Sequence, residues 1–130
     1  MHAPHSFDYA IVRVIPRIER EEFVNAGVNV HCYALDFLAA RVELDEARLI
    51  ALAPDADLPL VRRHLEAIPR ICAGGPNAGP IGDLPQRERF SWLVAPRSTI
   101  LQTSPTHSGM CADPESALER LLERTVRMAR

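Results

Sequence analysis

Between Arg97 and Cys111 the chain gathers an unusual run of polar and reactive side chains: Arg97, Ser98, Thr99, Gln102, Thr103, Ser104, Thr106, His107, Ser108 and Cys111. Two chemistries are open to such a set. An arginine fork beside several hydroxyls suits a carboxylate or a phosphorylated group, because planar N–H pairs and O–H donors meet anionic oxygens at good geometry. Arg97, Ser98, Thr99, Gln102 and His107 are the candidate contacts for that anion. Alternatively, Cys111 stands just before an expected helix, with His107 close by. A thiol placed there can serve as a thiolate nucleophile, with the imidazole as its base, in a small hydrolase or transferase.

A plainer reading stands beside each. Hydroxyls in turns commonly satisfy nearby backbone groups. Asp113, as a helix cap, would itself occupy the N–H groups that an incoming anion needs. Spacing alone does not make a dyad, and a buried cysteine is inert. His107 and Cys111 supply only two ligands where zinc takes three or four, so neither a metal nor another cofactor is expected.

A second polar set lies in "VNAGVNVHCYA". Asn25, Asn29 and His31 share one parity, and Val24, Ala26, Val28, Val30 and Cys32 share the other. Such alternation reads as a half-buried strand. Arg41 and Glu43 project from the polar side of the following segment. In register, Asn25, Asn29, His31 and Arg41 would form a polar sheet surface, either solvated or used to recognise a partner. His31 and Cys32 cannot share a ligand, since neighbouring strand residues point to opposite faces.

Composition removes several function classes. All 15 basic residues are arginine. Without lysine there is no Schiff base, no lysine general base and no phosphate-loop lysine. "AGGPNAGPIGDLP" lacks the GK[ST] ending and the strand-to-helix setting of a phosphate loop, so it reads as a surface loop. A net charge of −2 argues against nucleic acid as partner. Cys32, Cys72 and Cys111 are odd in number and far apart, which speaks against a disulfide framework or a zinc ribbon. No signal peptide and no membrane-spanning apolar run is recognisable, so the cytoplasm is the expected location.

The elements that must position these groups follow from periodicity. "YAIVRVI" is apolar on both parities except at Arg13, which predicts a central strand. "VNAGVNVHCYA" and "FLAARVEL" predict two further strands in an antiparallel hairpin. Asp45 and Asp57 cap two helices, and Pro69 should end or kink the second. "ERFSWLVA" and "STILQTS" read as two strands around a hairpin at Ala95-Pro96-Arg97. Asp113 and Pro114 open a last helix with Leu118, Leu121, Leu122 and Val126 inward. Three strands, two helices, two strands and a helix describe one α+β domain over 1–130. Its sheet of about five strands is mainly antiparallel, with two to three helices on one face.

Three runs carry a resemblance to a known family: GPIG, ERFxWLxAPRST and SPxHxGxC. With "DYAIVRVIPRIEREEFVNAGVNVHC" and the closing helix they cover most of the chain, which resembles the bacterial domain-of-unknown-function 3037 family. The resemblance implies no activity. It implies a genomic association with HipA-like kinase genes, hence a small accessory protein with such a kinase as partner. Arg97, Ser98, Thr99, His107 and Cys111 fall within the family-like runs, with no assigned roles. Nothing in the sequence excludes a homodimer.

Overall fold

A computed structural model describes residues 4–97 and 99–127. β1 (His5–Val14) forms the middle of a five-stranded antiparallel sheet. β2 (Val24–Cys32) pairs along one side of it, and β3 (Phe37–Val42) pairs outside β2. On the other side, β4 (Leu101–Thr103) lies against Val12–Val14, and β5 (His107–Cys111) lies against His5–Tyr9. The central place of β1 follows from its sequence. Ala10, Val12 and Val14 are buried on one face and Phe7 on the other, so the strand has no polar side to leave in water.

Aspartate caps start three of the helices. Asp45 accepts from Arg48 N at 3.1 Å and opens α1 (Glu46–Leu52). Asp57 accepts from Leu60 N at 3.1 Å and opens α2 (Leu58–Ala73). Asp113 does the same for α4 (Pro114–Thr125) through Glu115 N at 3.1 Å. Each cap satisfies one of the N–H groups that a helix start leaves without a partner. Pro69 does not end α2. The helix runs on to Ala73 because Ile71 and Cys72 are buried beyond the proline. Two such burials, at roughly 1.5–3 kcal/mol for a large apolar chain, offset the roughly 3 kcal/mol a helical proline costs.

Three further expectations are corrected. "ERFSWLVA" is helical, as α3 (Gln86–Val94). A strand would put Phe90, Trp92 and Val94 on one face; the helix buries Phe90 with Leu93, three positions apart, and leaves Trp92 39% exposed. Ala95-Pro96-Arg97 is therefore a helix-to-strand link and not a hairpin. His107–Cys111, read as a lead-in to α4, is a strand. The helices also occupy both faces of the sheet. α1, α2 and α3 cover Val12, Val14, Val24 and Leu38, while α4 covers Phe7, Val28, Val30 and Cys32 on the reverse.

One residue decides which side chains face which layer. Arg13 pairs with Asn25 but Val12 with Gly27, so Ala26 is an extra residue, a β-bulge. The parity of β2 switches there. Val24 and Ala26 join the α1–α3 core, while Val28, Val30 and Cys32 join the α4 core. Gly27 makes the kink feasible, since a Cβ on it would lie 2.7 Å from the Arg41 carbonyl oxygen.

Candidate functional site

The bulge sends the polar residues of β2 to different places. Asn25 turns toward α4, where its Nδ2 donates to Thr125 O at 2.9 Å. Asn29 and His31 turn the other way, under α2 and α3. Arg41 is on the α4 side and ion-pairs with Glu115 and Glu119. Asn25, Asn29, His31 and Arg41 thus do not compose one surface. The expected exposed polar face is absent because helices cover both sides of β2.

Asn29 forms part of a cavity of about 280 Å³ bounded by α2, α3 and β4. Its buried lining consists of Val12, Asn29, Ile68, Ile71 and Leu93, of which Asn29 alone is polar. The Asn29 side chain is 0% exposed, and neither its Oδ1 nor its Nδ2 has a hydrogen-bond partner. An unpaired buried amide costs about 1–3 kcal/mol, and interiors rarely keep one. His64, Trp92, Arg97 and Thr99 line the same cavity from its solvent-reached side.

Arg97 is held at that rim in two ways. Its guanidinium lies 4.4 Å from the Trp92 ring centre, and its Nη2 donates to the Trp92 carbonyl. Stacking of this kind fixes a flexible side chain while other N–H donors of the fork stay on hand for an anion. Thr99 and Gln102 also line the cavity, but their side chains serve the turn. Thr99 Oγ1 donates to Leu101 O at 2.7 Å, and Gln102 Nε2 donates to Thr99 O at 2.9 Å. Ser104 is similarly engaged, accepting from Ile11 N and donating to Pro105 O, both at 2.9 Å. Ser98 lies outside the described residues.

His107 does not join this group. It pairs with Tyr9 across β1 and β5, and the two rings are 5.4 Å apart on the α4 face. Arg97 and His107 therefore sit on opposite sides of the sheet and share no cleft. His107 and Cys111 are four positions apart on one strand, so about 14 Å of backbone separates them. Cys111 is 5% exposed inside the α4 core. Burial, with Cys32 beside it, pushes its thiol up from the ordinary range. Burial pushes Cys72 up to about 12. The Cys111–His107 dyad fails on geometry and on thiol acidity together. Among the described residues, no three His, Cys, Asp or Glu side chains group in a way that could hold a metal ion.

A second, more open cleft of about 650 Å³ lies on the other side of α3, between Asp8, His31, Tyr33 and Arg87. His31 is buried with its ring 5.0 Å from Phe90, and its Nε2 has no partner. Burial holds its pKa below the usual histidine value, against the pull of Asp8.

Sequence reasoning names Arg97, Thr99, Gln102 and Asn29 without bringing them to one cavity. It misses His64 and Trp92. Trp92 could have been found from the exposed face of α3, had that segment been read as a helix. His64 has no local signal, since its role depends on how α2 docks on the sheet.

Among the described residues, no helix is long and apolar enough to cross a membrane. A family model described as "Protein of unknown function (DUF3037)" matches residues 9–126. No curated protein and no solved structure matches the chain.

Proposed function

The chain belongs to the DUF3037 family, whose function is unknown; from the geometry of its own cavity, we propose that it is an accessory domain binding a small anionic organic molecule between Asn29 and Arg97. The observation that carries the proposal is Asn29, a fully buried residue that lines a 280 Å³ cavity and whose amide has no hydrogen-bond partner. A fold that keeps such a group bears its desolvation cost without return until a partner arrives. Arg97 supplies the positive end at the rim, where a carboxylate or phosphate meets a stacked guanidinium. Binding rather than catalysis is favoured by the thiols, since Cys111 sits in the opposite core and Cys72 is buried and hard to ionise. Three free cysteines suit the reducing cytoplasm. For a domain that reports ligand occupancy to a partner, the family resemblance points to a HipA-like kinase.

The test is thermal denaturation with benzoate and with phenyl phosphate as probes. A ligand that binds only the folded state raises the midpoint by mass action. The wild-type midpoint is expected to rise with at least one probe, and Arg97→Ala is expected to lose that rise. If neither probe moves the wild type, or if Arg97→Ala responds equally, the proposal fails.

A further inference from the structure

We infer that the buried end of the ligand carries a cyclic amide edge, a lactam or imide N–H beside its C=O. This rests on the anion-binding reading and adds the class of molecule. The argument begins with what Asn29 can accept. Its carboxamide presents one acceptor and two donors in a single plane. To satisfy Oδ1 and Nδ2 together, a partner must offer a donor and an acceptor side by side. A secondary amide in the usual trans form points its N–H and C=O in opposite directions. A ring forces them to the same side, so a lactam or imide matches both atoms at once.

The surroundings narrow the choice. Water is a poor occupant at that depth. A buried water needs two to four polar partners, and the buried lining around Asn29 is Val12, Ile68, Ile71 and Leu93. Those same walls favour the apolar faces of a ring. The volume also fits. A cavity of roughly 150 Å³ admits benzene, so 280 Å³ accepts one substituted ring or a small fused pair. The polar rim then calls for an anionic substituent on the side of the ring away from the amide edge, toward Arg97. The ligand class is a small lactam- or imide-bearing ring with a carboxylate or phosphate, as in an oxidised pyrimidine acid.

Three probes separate the parts. Orotate carries both the imide edge and a carboxylate, benzoate only the carboxylate, and uracil only the edge. Calorimetric titration of the wild type is expected to show orotate binding about tenfold tighter than benzoate, the worth of one hydrogen-bonded pair. Asn29→Leu is expected to remove the tenfold difference between orotate and benzoate. Asparagine-labelled wild-type protein gives a second readout that depends on no variant: orotate and uracil shift the Asn29 side-chain amide resonances, and benzoate does not. Orotate no tighter than benzoate, or Asn29 resonances unmoved by orotate, overturns the amide-edge inference. If benzoate binding still depends on Arg97 in that case, the anion-binding reading survives. If neither acid depends on Arg97, that reading falls as well.

Discussion

A side chain without a partner is informative because the fold tolerates it at a cost. Asn29 is close in shape to leucine, and its amide is sealed from water in the free protein. Asn29→Leu exchanges an unsatisfied polar group for an apolar one against Val12, Ile68 and Leu93. The expected result is a stabilised free protein, by about 1–3 kcal/mol in urea denaturation. A loss of stability would mean that the amide is already satisfied in the folded state. His31 makes a separate, pH-dependent prediction. Burial holds its folded pKa down, opposed by Asp8 of β1, by the nearby Gln86 side chain and by Asp36, and reinforced by Arg87 of α3. The unfolded chain therefore takes up that proton first, near pH 6.5. The contribution of His31 is fully present above about pH 6.5 and is lost as pH falls from there toward the folded value. Between pH 7 and pH 5 the urea midpoint of His31→Gln is expected to fall less than that of the wild type. Parallel falls would assign the pH dependence to other groups. Both residues are visible as polar members of a strand. Their burial is not, because it depends on helices that arrive from later in the chain.

At the scale of elements, α4 shows which forces fasten a helix to the sheet. Arg41 reaches Glu115 and Glu119, and Arg127 reaches Glu43, Glu119 and Glu123. These side chains are about half exposed, so each pair contributes little and is screened by salt. Beneath them Leu118 is 1% exposed and Leu122 0%. Leu118→Ala is expected to cost about 2–5 kcal/mol in urea denaturation, and Arg41→Ala less than about 1 kcal/mol, shrinking further in 1 M salt. An Arg41→Ala loss that matched Leu118→Ala would make the ion pairs the principal clamp. The α4 helix is legible in the sequence because Asp113, Pro114 and the leucine spacing agree on one answer. The first three strands are legible for the same reason. α3 is not: Phe90, Trp92 and Val94 alternate while Phe90 and Leu93 are three apart, so a short apolar run fits both periods. β5 is hidden by its polar, glycine-containing composition, and Gly109 is there because a Cβ would strike the Phe7 ring at 2.8 Å. The bulge at Ala26 is hidden most completely. It changes the count by one residue and reverses the face of every side chain beyond it.

Across the whole molecule, that reversal ties two hydrophobic cores to one pair of strands. β1 gives Val12 and Val14 to the α1–α3 core and Phe7 to the α4 core. β2 is divided in the same way at Ala26. Neither core can lose its sheet wall without exposing the other, so the two layers should unfold as one transition. Trp92 lies on the α3 side and is the sole tryptophan, which makes the coupling measurable. Its fluorescence reports the α1–α3 layer, while Leu118→Ala weakens only the α4 layer. The expected outcome is that Leu118→Ala lowers the Trp92-detected urea midpoint as much as the midpoint from far-ultraviolet circular dichroism. If Trp92 fluorescence kept its wild-type midpoint while the dichroism midpoint fell, the layers would be independent. The cavity under Asn29 would then rest on half of the structure. Coincident midpoints would mean that the ligand site draws on packing on both sides of the sheet. In that case occupancy at Asn29 should also protect the amide hydrogens of α4, on the face the ligand never touches.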